Sequence, residues 1–452
     1  MDALKQYLEL YDTRRESIDR GSADVLNQAR AAARVALEGK KLPERGDEGY
    51  EKTSINEMFA PDYGVNIDRL KLPCDVASAF KCGVPNVSSM LCILVNDRFV
   101  PTNTLGINLP EGVTVMSLEK AAREFPELVG KHYGSVADTD SVGTALNTML
   151  AQDGVFIHVG KGIKLEKPLQ IVALTSTPVP LLSARRILIV AEQGSAFSIL
   201  NCDHTMSDDV EALTSQVVEI ILAENSHVDV CEIEETGTKQ RRYSQTYVRQ
   251  LDGSDISLGG MTLTNGKTRN EYLIDIAGEH CECSLGGMAI GSGEQHIDNS
   301  SDVIHNAPHS ASRQLFKYVL DDNSSGAFEG SIQVTPQAPF TEAYQTDRNI
   351  LASPHARMHT KPQLLIYNDE VKCSHGATTG QLDEQALFYM RSRGIPLEEA
   401  RLMLMQAFMT EVVDTVRVEA VRDRLRHLVE RRLAGFDASC NDCGATCDKT
   451  KI

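Results

Sequence analysis

The chain has 452 residues, 42% of them hydrophobic and 24% charged, enough for a large core in two or three domains. Its net charge of -18 repels a phosphate backbone, so nucleic acid is not an expected partner. No run approaches the ~18 apolar residues of a membrane span, and the charged start MDALKQYLELYDTRRESIDR has no signal-type apolar core. Eleven cysteines are then expected as reduced thiols, some metal-linked, in a cytoplasmic protein without a membrane anchor.

The elements follow in chain order. Helical spacing of apolar residues predicts helices over ALKQYLELYDTRRESI and SADVLNQARAAARVALEGK, the second with Ser22 as its cap. Residues 1–97 form an expected helical domain and 98–153 a mixed lead-in, with one more helix in SLEKAAREFPELVGK. From Gly154 apolar, β-branched runs succeed one another: GVFIHVG, LQIVALT, RRILIVA, SQVVEIILA, HVDVCEI, EYLIDIAG, GSIQVT, QLLIYND. Turn residues Gly194, Asn225, Gly253 and Gly278 punctuate them at roughly rung-length intervals, and Gly and Asn tolerate the positive φ of a tight turn. Recurrence at that length favours a stacked β-solenoid over residues 154–376 rather than a β-sandwich. After ATTG the helical period returns over 377–435: LDEQALFYMRSRG ends on Gly394, Pro396 opens the next run, and Gly435 closes it. Arg422–Arg432, the one concentrated basic segment, reads as the solvated face of a helix with Leu425, Leu428 and Val429 behind it. A polar, cysteine-bearing tail occupies 436–452.

Few motifs carry chemistry. HVGKGIK lacks the spacing of a phosphate-binding loop. His305 and His309 stand four apart as in zinc proteases, but the adjacent Glu is missing and Pro308 breaks the helix such a site needs. Cys281 and Cys283 share one face of a strand and read as small buried hydrophobes. In the tail, Cys440, Cys443 and Cys447 have a spacing that suits iron or zinc with one outside ligand. VKCSHGATTG places Cys373 two residues before His375, which fits a metal site, a nucleophile with its base, or an inert strand-end pair.

The run from His296 to Gly394, with FKYVLDDNSSGAFEGSIQV, AYQTDRNILAS and TKPQLLIYNDEVKCSHGATTGQLDEQALFYMRSRGI, resembles the SufB/SufD family of iron–sulfur cluster assembly proteins. LNTMLAQDGVFIHVGKGIKLEKPLQIV resembles the segment that opens that family's β-helix. LPERGDEGYEKTSINEMF is similar to its linker, with Tyr50 at the aromatic position. The CSHGATTG wording is of the SufD type. The resemblance implies a right-handed parallel β-helix between helical domains. It also implies a non-catalytic scaffold in a complex with SufB, through the β-helix, and with the ATPase SufC, through the C-terminal helices.

By the same resemblance His375 matches a ligand for a transient nascent cluster shared with SufB, with Cys373 as the neighbouring motif cysteine. No cofactor is expected to stay tightly bound to the isolated chain, which has the option of pairing with itself. Two other readings compete: a structural partner of SufB without a metal ligand of its own, and a β-helix enzyme acting on carbohydrate. The tail cysteines are not part of the family pattern. Surplus apolar residues over Leu382–Leu433, among them Met403, Met405, Phe408 and Met409, mark the expected SufC contact.

Overall fold

The structure, a computed structural model, describes residues 2–70, 90–100, 109–206 and 209–435. Cys440, Cys443 and Cys447, and with them the tail expectation, lie outside the described residues.

Helices Ala3–Asp19 and Asp24–Ala36 open the chain. The first is capped by Asp2, whose side chain accepts from the Leu4 N–H, and it buries Leu4, Tyr7, Tyr11 and Ile18 along one stripe. Ser22 does not cap the second helix as expected; Ala23 takes that position, and the Ser22 hydroxyl instead accepts from buried Arg30. The single helix expected over SLEKAAREFPELVGK is two, Leu118–Glu124 and Pro126–His132. Pro126 has no N–H to continue the first, yet its fixed φ suits the opening turn of the second.

From Asp153 to Gly380 strands alternate between two sheets, so each rung gives one strand to each. Within each sheet the successive rungs pair in parallel and in register, which makes this tract a parallel β-solenoid flanked by helices. Side chains at alternate positions point into the lumen. Val155, Ile157, Ile187, Ile189, Val218, Ile220, Leu258 and Ile274 fill its first half and Phe316, Tyr318 and Phe328 its second.

One turn recurs rung after rung, at Gly194, Asn225 and Gly253, all at positive φ as anticipated. The column then passes to His280, His309 and Phe340, also at positive φ, and each donates its N–H to the carbonyl one rung on. Gly278 is not a member. A Cβ there would lie 2.2 Å from the Asp252 nitrogen, so glycine serves close backbone approach and not turn geometry. His280 and His309 stack at 5.0 Å, and His309 stacks on Phe340 at 4.8 Å. The HNAPH histidines thus divide: His309 belongs to this outer stack and His305 is buried at a strand end.

The two ends of the solenoid differ. At the first, Val113–Ser117 closes one sheet by antiparallel pairing with Asp153–Val159. Met90–Val95 extends the other and turns back as a hairpin through Arg98–Val100. At the second, the sheets stop at Arg357–Ile366 and Lys372–Gly380, whose outer edges have no partner strand among the described residues. Helices cover the flanks. Tyr7, Phe59 and Met149 pack on Leu182, Leu213 and Tyr243 of the first sheet. Met409, Val412, Leu425 and Leu428 pack on Met261, Met288 and Val319 of the second.

Candidate functional site

The last strand, Lys372–Gly380, carries the whole CSHGATTG motif. The turn into helix comes after it, at Asp383, whose carboxylate accepts from the Gln385 and Ala386 N–H groups. Residues 377–380 therefore belong to the solenoid as well, four residues past the expected boundary at 376, and Gly376–Gly380 pair with Thr346–Ile350 in unbroken register.

Register fixes which way the motif faces. Cys373 pairs with Ala343 and His375 with Gln345, and both partners are buried in the lumen. With a two-residue period, Cys373 and His375 share that inner face at the solenoid's open mouth. The structure thus brings thiol and imidazole to one surface. Cys373 is half-buried against Ile332, Val334 and Ala343, and burial pushes its thiol pKa up, which keeps it protonated and a poor ligand until a metal displaces the proton. His375 is exposed at the rim.

Beneath His375 runs a polar column. Gln345 donates from Nε2 to Gln314 Oε1 at 3.1 Å, and the Ser301 hydroxyl donates to that same oxygen at 2.7 Å. Gly330 makes the space: a Cβ there would lie 2.2 Å from Gln345 Nε2. Beneath Cys373 the column reads Ala343, Ser312, Cys283. Ser312 meets His305 Nε2 at 2.9 Å, and burial lowers the pKa of that imidazole to about 4, so it is neutral. Cys281 and Cys283 are buried as read from the sequence, and desolvation pushes the Cys283 thiol up to about 12.

A second inner cluster was not read from the sequence. Arg185 and Arg242 face the lumen with Asp203, Glu232 and Glu234. Arg185 contacts Asp203; Arg242 lies 3.4 Å from Asp203 and 2.5 Å from Glu232. Desolvation raises Glu234 to about 6 despite Arg242. The signal was present in LLSARRILIV and QRRYSQTY: adjacent arginines inside a strand must send one side chain inward.

The C-terminal helices are Glu384–Ser392, Leu397–Val413 and Glu419–Leu433. Of the expected apolar surplus, Met405 and Met409 are consumed by packing on the second sheet, and Phe408 lies under the Lys317 ammonium. The exposed apolar surface is carried by Phe388 and Tyr389, 74% and 58% exposed, with Leu397 and, of the expected surplus, Met403.

A β-solenoid closed at one end and open at the other, with a thiol and an imidazole on the inner face of its last rung, is the class that fold and site define. The chain belongs to the SufBD family of iron–sulfur cluster assembly proteins. The family model described as the SUF system FeS cluster assembly SufBD core domain matches residues 174–408, and that of the SufBD protein N-terminal region matches residues 1–171. The chain is 29% identical to a SufBD family iron–sulfur cluster assembly protein of Synechocystis, over 94% of this chain and 95% of that one. It is 30% identical to the chloroplastic protein ABCI7 of Arabidopsis thaliana, over 75% and 72%. To the iron–sulfur cluster assembly protein SufD of Escherichia coli it is 29% identical, over 64% and 69%. Its role therefore lies in iron–sulfur cluster assembly by the SUF system. Among the described residues no helix is long and apolar enough to cross a membrane.

Proposed function

We propose that the chain is a SufD-type scaffold subunit whose open last rung pairs with SufB and contributes His375 to a nascent cluster held between the two. The observation that carries this reading is the shared inner face of Cys373 and His375 on a terminal strand with a free edge. A free edge is a template for another chain's strand, and Leu365, Ile366 and Tyr367 add exposed apolar surface beside it. One thiol and one imidazole are too few to complete a cluster site, so further ligands come from the partner. A neutral imidazole is a competent iron ligand and leaves more readily than a thiolate, which suits a scaffold that hands its cluster on.

In the same reading SufC docks on the Phe388–Tyr389 face and supplies ATP hydrolysis, while this chain has no catalytic role. The test is co-expression with SufB and SufC and purification without air, with iron and sulfide measured on the complex. His375→Ala lowers cluster content in an intact complex if the imidazole is a ligand. Unchanged content returns the chain to a purely structural partner.

A further inference from the structure

Burying a carboxylate in a low-dielectric interior is costly unless a cation or a proton compensates it. The lumen shows this in its first half, where Asp203, Glu232 and Glu234 all lie in the field of Arg242. Asp347 breaks the pattern. It is 0% exposed on the last but one strand of the second sheet, and among the described residues no Lys, Arg or His side chain contacts its carboxylate. Its bonded neighbours are neutral: Asn349 Nδ2 donates to Asp347 Oδ2 at 2.8 Å, and the Thr360 hydroxyl also bonds the carboxylate.

The inward positions on either side of Asp347 each leave a buried oxygen without a partner, Gln345 Oε1 and Asn349 Oδ1. The amide nitrogens are already directed elsewhere, Gln345 Nε2 to Gln314 and Asn349 Nδ2 to Asp347 and to Thr379 Oγ1 at 3.3 Å. Apart from the Thr360 hydroxyl, the groups around the carboxylate offer acceptors. On the strand above, Ala377 stands over Asp347 in register, so the smallest chiral side chain roofs the carboxylate. One carboxylate with amide oxygens is a hard donor set, suited to Mg, Mn or ferrous ions and not to soft ones.

We propose that Asp347, with Gln345 and Asn349, binds a divalent first-row metal ion on the inner wall of the solenoid's open end, one rung beneath Cys373 and His375. The site depends on neither the thiol nor the imidazole and stands apart from the reading of His375 as a cluster ligand. Adjacent strands are about 4.8 Å apart and a strand rises about 3.3 Å per residue, so an ion held here sits one rung beneath the motif strand, two residues along from His375 and four from Cys373.

The test is Mn(II) titration of the purified full chain, with free Mn(II) followed by electron paramagnetic resonance. Mn(II) prefers oxygen, which keeps cysteine-rich segments from competing for it. The wild-type chain binds one Mn(II), and Asp347→Asn, which keeps the shape, weakens it at least about tenfold. Gln345→Met gives a second, independent loss, and His375→Ala leaves the affinity unchanged. Circular dichroism confirms that each variant is folded. Equal Mn(II) affinity in the wild type and folded Asp347→Asn, or no binding by the wild type, overturns the proposal.

Discussion

Gln345 and His375 are register partners on the last two strands of the second sheet, and both face the lumen. The inner one is held by Gln314 and ultimately by Ser301 from the opposite sheet, while the outer one stands at the rim. The motif's imidazole is therefore the exposed end of an ordered polar column. Its position follows from solenoid register and not from a loop.

The buried His305 makes stability depend on pH. Its folded pKa is about 4, against an ordinary value near 6.5 in the unfolded chain. The unfolded state thus takes up a proton first as pH falls. Its contribution is fully present above about pH 6.5 and is lost as pH drops toward 4, by roughly 1–3 kcal/mol. Urea unfolding of the wild type and His305→Gln at pH 7.5, 5.5 and 4.5 should show the gap between them shifting against the wild type on the acid side. Parallel curves would exclude His305 as the source.

Arg242 holds the inner charge cluster together. Replacing it with Met keeps most of the volume but strands Asp203, Glu232 and Glu234 without their shared cation. The expected loss is about 3–5 kcal/mol in denaturant unfolding at neutral pH. A loss under about 1 kcal/mol would mean that Arg185 or water compensates those carboxylates unaided.

The proposed docking face is testable without disturbing the fold. Phe388→Asp with Tyr389→Asp alters exposed side chains, so the melting temperature should stay within about 2 °C of wild type. SufC should then fail to co-elute while SufB remains bound. Retained SufC moves the contact elsewhere. Deleting everything after Gly380 is a poorer test, because Met409, Val412 and Leu425 are needed to cover the second sheet.

Much of this was legible in the sequence, for identifiable reasons. Long β-branched runs with recurring Gly and Asn predicted the solenoid, and Gly194, Asn225 and Gly253 do occupy one turn column. The column's later members were hidden because His280, His309 and Phe340 are held at positive φ by stacking and turn hydrogen bonds, which no propensity signals. Met405 and Met409 read as partner surface because sequence does not tell a helix packed on a sheet from one awaiting a partner. Cys373 and His375 could be named from their motif, but their shared inner face, and Asp347 beneath them, depend on register between strands some thirty residues apart.

The most direct test of the account concerns His375. The wild type, His375→Ala and Cys373→Ser are each co-expressed with SufB and SufC, purified without air, and assayed for iron and acid-labile sulfide per complex. The account predicts an assembled His375→Ala complex with intact ATP hydrolysis by SufC but cluster content below about a tenth of wild type. It predicts a smaller loss for Cys373→Ser. An assembled His375→Ala complex that carries as much iron and sulfide as the wild type would contradict it.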